Sequence, residues 1–142
     1  MFKKYHKGKF TITTDPSKLD LDAIYDGLSN CYWAWDGTTK KKIARSIKHS
    51  LCFGVFLGGR QIGFSRVLSD FSGAAYIFDT YILEPYRGKG LGKWLTRCVL
   101  QHPKLQGPLV WGLWAQNPAL HKSLGFSADP TTESYMWLDR RP

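Results

Sequence analysis

A glycine-rich run at positions 87–92 holds the residues whose types and spacing indicate chemistry most directly. It reads Arg87-Gly88-Lys89-Gly90-Leu91-Gly92 and follows an apolar segment ending near Leu83. Glycines let backbone N–H groups approach a ligand closely, and a helix that begins there points unpaired amides and its positive dipole end at the same spot. Lys89 and Lys93 add positive charge. The run therefore predicts a site for a diphosphate between a strand and a helix.

Two common phosphate-binding patterns do not fit this run. A Walker A loop needs Ser or Thr after its Gly-Lys pair, whereas Gly90 follows Lys89 here. A dinucleotide-binding turn follows the first strand of a parallel unit and needs an acidic residue about 20 positions later. This turn comes late in the chain, and no Asp or Glu lies between positions 93 and 128.

The elements that must position the turn are predicted from apolar spacing and turn residues, in the order β-α-α-β-β-β-α-β-α-β. Gly58-Gly59 and the turn at 70–73 join three successive strands into an antiparallel meander. So many strands favour a mixed α/β (α+β) fold, with a central, mostly antiparallel sheet flanked by helices. We expect strands at 10–14, 51–57, 61–68, 74–83, 109–114 and 134–138, and helices at 21–29, 38–50, 90–102 and 118–124.

The bulk composition limits the class of protein. The chain has 142 residues, 43% of them hydrophobic, and no repeat or linker divides it, so one domain over 1–142 is expected. The net charge of +9 favours anionic partners such as a polyphosphate, nucleic acid or acidic lipid. No apolar run approaches the ~20 residues of a membrane span, and no apolar signal core follows the basic N-terminus. We therefore expect a cytoplasmic protein without membrane contact.

A metal site is not expected. The three cysteines are widely separated and lack CxxC or Cys/His ligand spacing. Cys52 and Cys98 have apolar neighbours and are predicted to be small core residues.

The run, its position and a second mark together resemble one family. Arg87 to Gly92 matches the Arg/Gln-x-x-Gly-x-Gly/Ala motif of the GCN5-related N-acetyltransferase (GNAT) superfamily, and Leu124-Gly125-Phe126 matches its C-terminal Leu-Gly-Phe. The order of elements is similar from about residue 10 to the C-terminus. The resemblance implies an acyl-CoA N-acyltransferase fold and acetyl-CoA as acyl donor.

The resemblance also implies where the cofactor binds and how acyl transfer proceeds. The pantetheine arm would meet the backbone near Thr80, Tyr81, Ile82 and Leu83, and the amides from Gly88 to Lys93 would hold the pyrophosphate. An amine would attack the thioester carbonyl directly, and a backbone N–H near Ile82 would polarise that carbonyl. The cofactor-binding residues are therefore expected to be Thr80, Tyr81, Ile82, Leu83, Arg87, Gly88, Lys89, Gly90, Leu91, Gly92, Lys93 and Asn117.

The catalytic positions are where the sequence departs from the family. His121 stands where many members place a Tyr that protonates the thiolate, and Trp114 replaces a frequent Asn, although Asn117 lies one turn from His121. Either His121 or water is the general acid. Asp79, an acidic residue within an apolar strand, is the candidate base, because burial would raise its pKa; the alternative is an anchor for the substrate ammonium.

The acceptor is expected to be a primary amine of a small molecule or peptide, held by the segment between the first two helices. Tyr32, Trp33 and Trp35 are the candidate substrate-binding residues there, and the loop around Phe71 is a further candidate. The alternative interpretation is that the aromatic patch seals the edge of the core. The alternative function is a non-catalytic module that binds CoA or nucleic acid, but no helix-turn-helix, RNP or zinc motif favours nucleic acid. Homodimers are common in the superfamily.

Overall fold

The structure is a computed structural model that describes residues 1–31, 37–131 and 135–142. Eight strands form one sheet: β1 (Lys4–Lys7), β2 (Phe10–Thr13), β3 (Leu51–Leu57), β4 (Arg60–Ser69), β5 (Ala74–Ile82), β6 (Val110–Trp114), β7 (Ser127–Ala128) and β8 (Tyr135–Asp139). The α-helices are α1 (Leu21–Ser29), α2 (Lys40–Lys48), α3 (Leu91–Gln101) and α4 (Pro118–Lys122).

The strand order is β1-β2-β3-β4-β5-β6-β8-β7, and every neighbouring pair is antiparallel except β5 and β6. The predicted mixed, mostly antiparallel sheet with flanking helices is confirmed. Two short strands, β1 and β7, were missed. The β1 sequence is mostly polar and exposed, and β7 has two residues, so neither carries an apolar pattern that sequence inspection detects.

The helix ends follow local capping chemistry. Asp20 accepts a hydrogen bond from the amide of Ala23 at the start of α1, and Thr39 accepts one from Lys42 at the start of α2. Both helices therefore begin one residue after a capping side chain. The predicted helix at 90–102 in fact starts at Leu91, because Gly90 is its cap, with a φ of 78° in the left-handed region.

The sheet has two faces, which we name after the helices that cover them. On the α3 face, Leu91, Leu95 and Val99 of α3 pack on the main core of the sheet, in which Phe53 and Trp111 are fully buried. On the α1 face, Ile24 and Leu28 of α1 and Ile43 of α2 pack on Phe64 of β4 and Tyr81 of β5. The helices on the α1 face therefore cover β4 and the end of β5.

No helix in the described ranges is both long and apolar enough to cross a membrane.

Candidate active site

An opening between β5 and β6 forms the centre of the candidate site. The two parallel strands pair only from Ala74↔Val110 to Ile77↔Leu113. Beyond Ile77, β5 continues to Ile82 while β6 ends at Trp114. The edge of β5 that faces β6 is therefore released from the ladder over its last five residues, and its backbone groups are available to an extended ligand.

The glycine-rich turn lies at the end of this opening. Gly88 and Gly90 both have φ values of 78°, a conformation that costs residues with a Cβ about 1–2 kcal/mol. The Nε–H of Arg87 donates to the carbonyl of Ile82 at 2.7 Å and so ties the turn to the end of β5. The amides of residues 91–93 then open α3 and have no acceptor within the helix. Left-handed glycines and the opening amides of a helix are the two features on which the predicted diphosphate site depends.

A cavity of about 870 Å³ connects the turn to the opening. Its volume is in the range of small-molecule and cofactor sites. The wall includes β5, the turn, the first turn of α3, the end of β6 and α4. Of the predicted site residues, those that line it are Asp79, Thr80, Tyr81, Ile82, Arg87, Gly88, Gly90, Leu91, Gly92, Lys93, Asn117 and His121.

Two predicted cofactor residues, Leu83 and Lys89, are outside this lining. The amide of Leu83 donates to the carbonyl of Ile62 at 2.8 Å, so it is already used within the protein. The side chain of Tyr81 points to the α1 face: it is 5% exposed, and burial raises its pKa. Tyr81 therefore offers the cavity its backbone rather than its phenol.

A bulge in β5 places Asp79 beside a partner that the sequence reading missed. The β4–β5 register shifts between Phe64 and Arg66, and Asp79 has a φ of 52°. The Nε–H of Arg66 donates to Oδ2 of Asp79 at 2.8 Å, and its Nη1 donates to Ser50 at 3.2 Å. The guanidinium also lies 4.6 Å from the centre of the Phe78 ring. The available signal was a charged residue within the apolar part of each of two adjacent strands, Arg66 in β4 and Asp79 in β5.

His121 lies on α4, in a state that its neighbours define. Its Nδ1 is 3.1 Å from the carbonyl of Asn117; a carbonyl only accepts, so Nδ1 carries the proton and Nε2 the lone pair of the neutral ring. Burial lowers the pKa of His121, while the hydrogen bond to Asn117 opposes that shift. The ring makes an edge contact with Phe126, with centroids 5.9 Å apart. Asn117 also caps α4, because its Oδ1 accepts from the amide of Leu120.

The predicted acceptor site has two parts, the segment between α1 and α2 and the loop around Phe71. Tyr32, Trp33 and Trp35 lie outside the described residues. Phe71 lines a separate cavity of about 480 Å³, together with residues such as Ser50 and His102, and does not line the larger one.

Several residues of the site were missed from the sequence. Lys7 of β1 places its Nζ 3.6 Å from where a Cβ on Gly90 would lie, and β1 was not predicted at all. Tyr76, Phe78 and Trp114 also line the cavity. No group of His, Cys, Asp or Glu suited to a metal ion occurs in the described ranges.

Comparison with known proteins gives the family. The model of the acetyltransferase (GNAT) family matches residues 21–126. A crystal structure of a Xanthomonas campestris pv. campestris protein assigned to the GNAT family is 36% identical, with a TM-score of 0.79, over 93% of this chain and 92% of that one. The Gibberella zeae protein FG08082, named provisionally as an acetyltransferase, is 27% identical over 74% of this chain and 69% of its own length.

A more distant structure shares the fold and contains a cofactor. The PaiA N-acetyltransferase of Thermoplasma acidophilum, solved with coenzyme A, has a TM-score of 0.68 at 20% identity and covers 92% of this chain and 98% of its own. The fold, the opening between β5 and β6 and the glycine turn agree with the family match over residues 21–126. The chain belongs to the acetyltransferase (GNAT) family.

Proposed function

We propose that this protein transfers an acetyl group from acetyl-CoA directly to a primary amine. The observation that carries the proposal is the combination of an unpaired β5 edge and a left-handed glycine turn at one end of a single cavity. The first offers backbone hydrogen bonds to an extended arm, and the second offers amides to a diphosphate.

The donor is bound mainly by backbone groups. The amides of residues 88–93 hold the pyrophosphate, and Lys93, with Lys7 nearby, supplies positive charge. The pantetheine amides pair with the free edge of β5 between Phe78 and Ile82. This places the thioester near the β5 bulge, where Asp79 lines the cavity.

The reaction is a direct displacement at the thioester carbonyl. The nitrogen of a neutral amine forms a bond to the carbonyl carbon, a tetrahedral oxyanion follows, and the carbon–sulfur bond then breaks. The amine loses one proton, and the CoA thiolate takes one up, so the products are the N-acetyl amine and CoA. Holding both reactants in one cavity supplies much of the rate, since good orientation can contribute about 7–11 kcal/mol.

We assign the proton transfers to His121. In its neutral form Nε2 accepts the proton of the attacking amine, and the resulting imidazolium donates a proton to the thiolate. Burial supports this order, because it lowers the pKa of His121 and so favours the neutral ring at pH 7. The Nδ1 bond to Asn117 fixes the tautomer of that ring, in which Nε2 carries the lone pair. This differs from a role as acid alone, which needs the ring protonated at the outset.

We assign Asp79 to orienting the acceptor amine. Its Oδ2 already accepts a hydrogen bond from Nε of Arg66, so this carboxylate is held in one position within the protein. The pair instead offers a fixed negative oxygen beside the point of attack.

The single-domain organisation, the cytoplasmic location and the homodimer stay predictions.

Thiol release tests the proposed function. The protein is incubated with acetyl-CoA and a panel of primary amines, and free CoA and N-acetyl products are measured. We expect thiol release that depends on an amine and matches the acetylated product in amount. Tight CoA binding without acetylation of any amine would contradict the proposal and favour a binding module.

A further inference from the structure

Part of the α1 face is not covered by either of the helices described on it, and this part carries an aromatic surface. The helices α1 and α2 pack on Phe64 and Tyr81, at one side of the sheet. Beyond them, five aromatic side chains alternate with the core residues of β5, β6 and β8 and share the open part of the face. We call them the aromatic platform: Tyr76, Phe78, Trp114, Tyr135 and Trp137.

The platform is continuous because the strand register aligns its members. Tyr76 pairs with Gly112, which pairs with Trp137, and Trp114 pairs with Tyr135. Tyr76 and Phe78 have ring centroids 4.4 Å apart, Trp114 and Tyr135 5.7 Å, and Tyr135 and Trp137 6.2 Å. Such contacts fix ring orientation as well as burying area.

Ring faces remain accessible on this platform. Trp114 is 69% exposed, Tyr135 37% and Trp137 36%, which is unusual for three large aromatic residues in contact. Gly112 adds to the flatness, since a Cβ there would lie 3.0 Å from the Tyr76 ring and 3.1 Å from the Tyr135 hydroxyl. The surface is therefore preformed for stacking with a flat group.

The platform leads directly into the cavity of the proposed reaction. Tyr76, Phe78 and Trp114 belong to the platform and also line that cavity, beside Asp79 and His121. Trp114 is the last residue of β6 and lies where β5 and β6 separate. A molecule stacked on the platform can thus place a short arm at the thioester.

The charges around this path select against polycations. Among the described residues that line the cavity, Asp79 is the acidic one, and Arg66 already pairs with it and also covers Phe78. Arg87 and Lys93 line the same cavity. Asp139, next to the platform on β8, is held by Arg141, whose guanidinium lowers the pKa of that carboxyl. Within the described part of the chain, a polyamine would therefore meet positive charges rather than a row of carboxylates.

We infer that the acceptor is an arylalkyl monoamine whose ring stacks on Trp114 and Tyr135 while its amine reaches Asp79. This rests on the proposed function and names its substrate class. One N–C bond forms and the C–S bond of acetyl-CoA breaks, with the amine proton passing to His121 and then to the thiolate. Neither an oxidant nor a further reactant is needed.

The test compares amines that differ only in the group beside the nitrogen. Phenethylamine, tryptamine, hexylamine and spermidine are assayed at saturating acetyl-CoA. We expect kcat/KM for the two aryl amines to exceed that for hexylamine by about tenfold, the upper range of an aromatic pair, and spermidine to be the poorest. Equal kcat/KM for hexylamine and phenethylamine would overturn the inference.

Variants of Trp114 distinguish a loss of ring stacking from a general loss of activity. Trp114→Ala should lower kcat/KM for the aryl amines much more than for hexylamine and so remove most of the aryl preference, whereas Trp114→Phe should keep that preference. Phe2→Ala is the matched control, because Phe2 is an exposed aromatic residue, 59% accessible, outside the platform and the larger cavity. A Trp114→Ala variant that loses activity equally for all amines would overturn the inference.

Failure of the proposed function is distinguishable from failure of this inference. If no amine is acetylated, the proposed function is wrong, and equilibrium binding of phenethylamine to the CoA-saturated protein decides the inference alone. Binding that Trp114→Ala weakens about tenfold would support the platform as an aryl-amine site. No binding of phenethylamine would overturn it.

Discussion

The donor end and the acceptor end of the cavity are built in different ways. At the donor end, the turn of Gly88 and Gly90, the opening amides of α3 and the free edge of β5 offer backbone groups. At the acceptor end, side chains from four strands form the aromatic platform and the Arg66–Asp79 pair. Backbone recognition needs only a local conformation, whereas a side-chain surface needs strands from distant parts of the chain in one register.

This difference predicts that substitutions at the two ends have separable effects. Changes at the turn should alter the affinity for acetyl-CoA and leave acceptor preference unchanged. Changes on the platform should do the reverse. His121 lies where the two ends meet, so its loss should affect turnover with every acceptor.

The largest effect is expected at His121. His121→Phe keeps a flat ring against Phe126 but cannot accept or donate a proton, so kcat should fall by at least about 100-fold. CoA affinity should change little, and titration calorimetry with CoA checks that. Full turnover in this variant would show that water carries the proton instead.

The pH profile tests the same residue in the intact protein. Burial lowers the pKa of His121 below the usual 6.5, and the neutral form that accepts a proton predominates above that pKa. After correction for the fraction of neutral amine, kcat/KM should therefore fall as pH falls through a value below 6.5. Loss of activity as pH rises through that value would instead indicate that His121 acts only as an acid.

The turn should give the next largest effect. Gly90→Val forces a β-branched residue into a φ of 78°, so CoA binding should weaken by about tenfold or more. Gly59→Val is the control, because Gly59 lies in the β3–β4 turn with open space around its Cα and no positive φ. Equal CoA affinity in wild type and Gly90→Val would contradict the assignment of the donor site.

The donor end of the cavity could be predicted from the sequence more fully than the acceptor end, because the donor end depends on local conformation and the acceptor end on strand pairing. Arg87 to Gly92 was readable because the glycines and the helix start that bind the diphosphate are contiguous. Asp79 stood out as a charged residue in an apolar strand, but its partner Arg66 depends on the β4–β5 register and its bulge. Trp114 was identified only as a departure from the family pattern. Its place in the platform could not be predicted, because its contact with Tyr135 exists only once β6 and β8 pair.

A smaller effect is expected at the Arg66–Asp79 pair. Asp79→Asn keeps the shape and one accepting oxygen but removes the charge, so kcat/KM for amines should fall by roughly fivefold. The affinity for CoA should stay near that of the wild type. Because Arg66 contacts Asp79 as well as Phe78, Arg66→Gln should produce a similar loss of kcat/KM. A tenfold change in CoA affinity in either variant would instead assign the pair to the donor end of the cavity.

The smallest effect is expected at Lys7. Lys7→Ala removes an exposed cation near Gly90, so the CoA dissociation constant should rise by about twofold to fivefold at low salt, and less at high salt. Lys4→Ala is the matched control on the same strand, at the end that pairs with Thr13. Identical CoA affinity in the two variants would show that Lys7 of β1 does not contribute to CoA binding.

One measurement tests the account most directly: steady-state kinetics of wild type, Gly90→Val and Trp114→Ala with acetyl-CoA and either phenethylamine or hexylamine. We predict that Gly90→Val raises KM for acetyl-CoA by about tenfold with an unchanged ratio of aryl to alkyl kcat/KM. Trp114→Ala should leave that KM unchanged and bring the ratio close to one. Absence of amine-dependent CoA release in the wild type, or equal changes of both quantities in both variants, would contradict the account.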